Sequence, residues 1–273
     1  MILEETYETL KSDFGLQISN LYISRVVIGP YLSAVALSDG TIGTAGTISG
    51  HEGNNVRENR DFSDFTPLKI TGRRVMELFE TPKQSNLIST LRVAVLNALS
   101  SGQMSSGRYR VLEDCDPADL LDTLSGKTIT IVGAFQSYIR RFAETGNRLF
   151  VLEMNETAIS EPFRKYYVPA ADFETVIPAS DIVIITGLTL VNGTIDGLLG
   201  CLSGKSTVVV TGPSSSIIPD VLFRHGVSII GSTKVTDPDI LFQIAGEGGS
   251  GYHLFEYCAR KICIINEQFR QVK

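Results

Sequence analysis

Five short apolar runs in the second half of the chain narrow its fold more than any other feature: TITIVGAF, RLFVLEM, DIVIIT, TVVVTG and VSIIGS. They are rich in Val and Ile, and they do not alternate apolar with polar residues. A strand wetted on one face would alternate, so these runs predict strands covered on both faces, as in a parallel sheet. Helical stretches are expected between them, at 136–145, near 192–202, after the serines at 214–216, and at 237–245. Strands alternating with helices of this length are the grammar of βαβ units. The expected fold class is α/β, with a Rossmann-like, doubly wound parallel sheet over residues 109–273.

The first half is written differently. Leu3, Tyr7, Leu10 and Phe14 recur at helical spacing. LYISRVVIGPYLSAVALSDGTIG predicts two strands closed by the Asp39-Gly40 turn. Residues 49–65 are polar and without period. Residues 71–80 and the run NLISTLRVAVLNALSSG predict two helices, the second with Ile88, Leu91, Val95 and Leu99 on one face and Gly102 as its stop. Helix, hairpin, loop, helix, helix is an α+β order, so residues 1–108 are expected to form a smaller N-terminal domain. The last twenty residues are compatible with a helix or with a strand and tail.

Composition excludes several classes. The chain has 273 residues, 43% of them hydrophobic, and a formal net charge of −6. That is enough apolar material for a large core, and a mean hydropathy of +0.12 argues against global disorder. No Lys/Arg-rich run occurs, so nucleic acid is not an expected partner. The longest apolar runs are too short to span a bilayer, and MILEETYETLKSDFG has no apolar signal core. A cytoplasmic protein without membrane insertion is the expectation, and a homo-oligomer is left open. Cys115, Cys201, Cys258 and Cys263 imply no disulfide framework. His253 stands near Cys258 and Cys263, but buried thiols explain that cluster better than a metal.

In a doubly wound sheet, ligands bind outside the carboxyl ends of the strands. That rule selects loops beginning at Gly133, at Glu153, at Thr186-Gly187 and at Gly212. Gly133 with Phe135 does not make a GxGxxG fingerprint, yet Glu153 stands twenty positions on, where a ribose-binding acid often sits. The fourth loop reads VTGPSSSIIPDVLFRHG. Gly212 and Pro213 predict a tight turn, Ser216 a helix N-cap, and His225-Gly226 the helix end. Capping leaves Ser214 and Ser215 unexplained, so Gly212, Ser214 and Ser215 are expected to donate to an anionic ligand, with Pro213 and Ser216 beside them in the ligand-binding loop. His51, Glu52 and Asn54 in the polar loop, and Asp237 before the last βαβ helix, are candidate cleft or metal residues, although capping also accounts for one aspartate there. The sequence contains no GxSxG, HExxH, Walker loop or kinase signature.

One resemblance joins these residues. PASDIVIITGLTLVNGTIDGLL followed by VVVTGPSSSIIPDVLFRHGVSIIGSTKVTDPDILFQIAGEG is similar to the "putative heavy-metal chelation" domain family, whose function is unknown. IVGAF and VLEM resemble that family's first strand loop and second strand end. The likeness is good over residues 127–248 and weaker over the first hundred, where the family carries a small domain similar to the N-terminal domain of enolase. The resemblance implies a ligand cleft between two domains and a role in handling metals or metal chelates. Its cofactor would be a divalent or heavy metal ion or a metal chelate, and its partner a small molecule or metal chelate. The leading expectation is binding, and processing in addition if the protein is an enzyme, of a small anionic or metal-chelating molecule. The alternatives are a nucleotide-cofactor enzyme (a methyltransferase or oxidoreductase) and a non-catalytic regulatory module.

Overall fold

The computed structural model describes residues 1–48, 65–104, 106–123 and 126–269. The chain opens with helix α1 (Ile2–Ile18), which buries Tyr7 and Leu10 and bends at Phe14. Three strands follow: β1 (Ile23–Ile28), β2 (Leu32–Leu37) and β3 (Ile42–Gly46), all antiparallel in the order β1-β2-β3. The sequence predicts only two strands here. Gly29 and Pro30 interrupt the apolar pattern and make a second turn, while Asp39-Gly40 joins β2 to β3 as expected.

Helix α2 (Val75–Glu80) leads to α3 (Asn86–Met104). Ile88, Leu91 and Val95 of α3 are fully buried, at the predicted spacing. Gly102 does not end this helix, which runs on through it to Met104. α3 lies directly on β3, and Gly43 makes the approach possible. A Cβ at Gly43 would stand 2.0 Å from the Ala94 carbonyl oxygen and 2.3 Å from the Ala98 nitrogen.

The second half forms an eight-stranded, parallel-dominated sheet. Its strands are β4 (Arg110–Glu113), β5 (Thr128–Val132), β6 (Arg148–Glu153), β7 (Tyr167–Pro169), β8 (Ile182–Thr186), β9 (Thr207–Thr211), β10 (Ile229–Val235) and β11 (Ala259–Ile265). The order is β4-β11-β10-β9-β8-β5-β6-β7. From β10 to β7 every pairing is parallel, and the order reverses between β5 and β8, as in a doubly wound sheet. β11 and β4 add two antiparallel strands at one edge. The helices are α4 (Gln136–Ala143), α5 (Phe173–Val176), α6 (Leu188–Val191), α7 (Ile195–Gly200), α8 (Pro219–Arg224), α9 (Pro238–Gly246) and α10 (Gly251–Tyr257). The ambiguous C-terminal segment resolves into both alternatives, α10 and then β11.

The fold is therefore mixed α/β, a large parallel-dominated sheet flanked by helices with a small antiparallel sheet near the N-terminus. Leu10, Val35 and Leu91 of the first half share one continuous core with Val183, Val210 and Ile230 of the large sheet. No described helix is long and apolar enough to cross a membrane.

Candidate functional site

The serine loop sits where expected, between β9 and α8, but its side chains are turned inward. Gly212 takes a φ of +126°, open to glycine and strained for other residues. Ser214 and Ser215 are 2% and 0% exposed. The Gly46 N–H donates to Ser214 Oγ at 2.8 Å. The Ser215 hydroxyl donates toward the carbonyls of Gly212 and Gly231, at 2.6 Å and 2.5 Å. Ser216 does not cap the helix, whose N-cap is Ile218. Its Oγ instead meets the Ser232 hydroxyl at 2.7 Å and accepts from the Thr233 N–H at 3.3 Å. The Pro213 carbonyl accepts from Thr44 Oγ1 at 2.8 Å. The expectation that the serine hydroxyls stand free for an anion is thus corrected. They stitch β9, β10 and β3 together, and burial makes those bonds obligatory.

The other strand-end residues are also engaged locally. Gly133 packs against the Thr186 side chain, 3.0 Å from where its Cβ would stand. Thr186 Oγ1 accepts from the Leu188 N–H, and a Cβ on Gly187 would stand 2.9 Å from the Ser215 nitrogen. Phe135 packs on Tyr138 in the second core cluster. Glu153 Oε1 accepts from the amides of Met154 and Asn155, which accounts for this oxygen without a ribose. Asp237 caps α9 by accepting from the Ile240 N–H at 3.1 Å. His225 ends α8 as predicted and pairs with Glu5 of α1 at 2.8 Å. His253 makes a capping box with Ser250, and Cys258 and Cys263 are buried. His51, Glu52 and Asn54 lie outside the described residues. Among the described residues, no three His, Cys, Asp or Glu side chains are grouped to hold a metal ion.

A cleft of about 790 Å³ opens beside the serine loop. One wall is the β2–β3 turn with β3 and the last turns of α3; the other is the sheet edge of β10, β11 and β4. It lies at the carboxyl end of β10, displaced from the order reversal toward the antiparallel edge. Asn97 and Thr233 line it from opposite walls. Asn97 is 1% exposed, and its Nδ2 donates to the Thr44 and Pro213 carbonyls at 2.6 Å and 3.3 Å. Among the described residues its buried Oδ1 has no hydrogen-bond partner, and neither has Thr233 Oγ1. A buried polar atom left unpaired costs about 1–3 kcal/mol; of the four such atoms among the described residues these two line the cleft, while Tyr7 Oη and Thr90 Oγ1 do not. At the rim, Lys234 Nζ meets Glu113 Oε1 at 2.5 Å, and this hydrogen bond holds the Glu113 carboxyl below its usual range. Tyr109 contributes a hydroxyl bonded to Asp220; burial first, and then Asp220, push it above its usual range.

Sequence reasoning missed both cleft atoms. The signal for Asn97 was present: it is a poor helix former placed inside the apolar stretch RVAVLNALSS. Thr233 gave none, because a threonine near a strand end is ordinary.

These features define a class: an α/β protein with a polar cleft between its antiparallel unit and the edge of its doubly wound sheet. The comparisons agree with that description. Family models described as "Putative heavy-metal chelation" match residues 116–264 (DUF364) and residues 11–100 (DUF4213). The first covers more than half of the chain, so this chain belongs to the DUF364 family. A protein of unknown function of that family from Pyrococcus horikoshii has the same fold, with a TM-score of 0.76, 20% identity, and coverage of 97% of this chain and 100% of that one. Another, from Desulfitobacterium hafniense, gives a TM-score of 0.68 at 18% identity, covering 95% and 99%. An uncharacterized protein of Methanocaldococcus jannaschii is 30% identical over 113 residues, 37% of this chain and 43% of that protein. That match spans less than half of the curated relative's length.

Proposed function

We propose that the protein binds a small polar chelating molecule, or its metal complex, in the cleft between the antiparallel unit and the β10–β11–β4 edge. The observation that carries this reading is the pair of buried, unpartnered oxygens, Asn97 Oδ1 and Thr233 Oγ1. An amide oxygen in that state calls for an N–H or O–H from the ligand. The lining chemistry supports an organic molecule over a bare cation. An amide, hydroxyls, one carboxylate already held by a lysine and a second, Asp39, bonded to its own turn are a poor cage for a metal ion, which seeks several free oxygen, nitrogen or sulfur donors. On this reading the chelating atoms belong to the ligand, and the family's description is met by binding the chelate.

Thr233→Val tests it. The substitution keeps the shape and removes only the orphaned hydroxyl. Thermal-shift and calorimetric titration with small hydroxamate, catecholate and aminocarboxylate chelators, with and without nickel or zinc, should find a binder. The valine variant should bind it about 5- to 10-fold more weakly, the loss of one hydrogen bond of about 1–1.5 kcal/mol. Equal affinity in wild type and variant would remove the cleft from the site.

A further inference from the structure

The polar cleft has a neighbour whose walls carry a larger share of apolar side chains, beside Gln17 and Gln103. A cavity of about 320 Å³ lies between α1, α3 and the β2–β3 turn, walled by Leu10, Phe14, Ile18, Leu21 and Leu99. It shares Asp39, Thr41 and Gly102 with the polar cleft, so the two adjoin along the line where the hairpin turn faces the end of α3. That line is open. Among the described residues, a Cβ built on Gly102 meets no atom within 4 Å, nor does one built on Gly40. The Asp39 carboxylate does not block it, because Oδ1 accepts from the Thr41 amide and hydroxyl of its own turn. Helix α1 bends at Phe14, beside this cavity.

We infer that the ligand of the polar cleft is amphipathic, with a chelating head against Asn97 and Thr233 and an apolar arm that passes over Gly102 into the cavity beneath α1. This rests on the cleft reading above and deepens it. A polar head alone would leave the apolar cavity wet. An alkyl or aryl arm would cover the partly exposed Phe14, Leu21 and Leu99 and gain the free energy of removing apolar surface from water. Gly102 is then a threshold. Its lack of a side chain has no need in the helix, where glycine is a poor choice, but it keeps the passage clear.

The probe is a series of n-alkyl hydroxamates from acetyl to octanoyl, titrated calorimetrically into the full chain with and without nickel. The head offers an N–H to Asn97 Oδ1, and the chain samples the side cavity. Affinity should rise about three- to fourfold per methylene and level off when the cavity is full. In Gly102→Leu the gain with length should disappear, read as the slope of affinity against chain length rather than from any single member. A melting curve checks that this variant is folded, and leucine favours the helix. In the wild type, nuclear Overhauser contacts from the octanoyl methyl to the Leu10 and Leu99 methyls should appear, a readout that needs no variant. Affinity independent of chain length, with Thr233→Val still weakening binding, overturns the arm and leaves the cleft reading standing. A length gain that survives in Gly102→Leu, or methyl contacts elsewhere, also overturns the arm. Failure of every member to bind overturns both.

Discussion

The loop at 212–216 and the cleft walls are joined by hydrogen bonds, the Thr233 amide to Ser216 and the Asn97 amide to the Pro213 carbonyl among them, yet they treat their polar atoms in opposite ways. In the loop, each serine hydroxyl has a partner within the protein: Ser214 on Gly46, Ser215 on two carbonyls, Ser216 on β10. On the cleft walls, Asn97 Oδ1 and Thr233 Oγ1 have none among the described residues. Small hydroxyl residues at the functional edge of a parallel sheet look like ligand donors in both places. What separates them is whether the protein has already spent the group on its own backbone. A satisfied group holds structure, and an unsatisfied one on a cleft marks a site.

That contrast predicts a ranking of stability losses. Asn97→Leu should cost most, about 2–3 kcal/mol in urea unfolding, because the Thr44 and Pro213 carbonyls lose the amide that bridges them. A much smaller loss would mean that the two units do not depend on this bridge. Ser215→Ala should follow, at about 1–2 kcal/mol, since it strips a fully buried hydroxyl from two carbonyls. If it also abolished chelator binding without a stability change, the loop and the cleft walls would have to exchange roles.

Glu5→Gln comes next and probes the same contact between units from its far side. The Glu5 carboxyl is held below its usual range by the His225 hydrogen bond and then by Arg224. A depressed carboxyl contributes stability above its unfolded-state value and loses it as pH falls through the folded-state value. These side chains are about one-third to one-half exposed, so the gap between wild type and Glu5→Gln should stay below about 1 kcal/mol near neutral pH. It should close on acidification below the carboxylate range, as followed by melting temperature. Thr233→Val comes last, with no loss and a gain of up to about 1–3 kcal/mol, because among the described residues its buried hydroxyl has no partner. A large destabilisation there would show that the hydroxyl has a structural partner after all.

Much of the fold could be read from the sequence, because doubly covered strands write themselves as unbroken Val/Ile runs. β5, β6, β8 and β9 are all of this kind. β4 and β7 were not legible: four and three residues carry too little pattern, and their strand character comes from neighbours. β1 and β2 ran together because apolar residues flank Gly29-Pro30 on both sides, and only the pairing of Val26 with Val35 reveals the turn. The site was less legible for a different reason. The partners that satisfy Ser214 and Ser215 are 168 and 16 positions away, and local spacing cannot show whether a hydroxyl so placed will be spent. Asn97 stood out only as a polar residue in an apolar helix, a pattern that also fits a satisfied core amide.

The contacts between the two units also set a timetable. The Ile2 amide bonds to Asp196, Glu5 to Arg224, and Arg25 to Asp239, spans of 194, 219 and 214 residues. Synthesis at about 5–20 residues per second therefore leaves α1 waiting roughly 10–40 s for the first of these partners. During that interval α1 lacks α8, and β1 and β2 lack α9, the helices of the second half that they pack against. The N-terminal segment should be the part of the nascent chain most dependent on chaperone cover, and folding that must close such long loops should be slow.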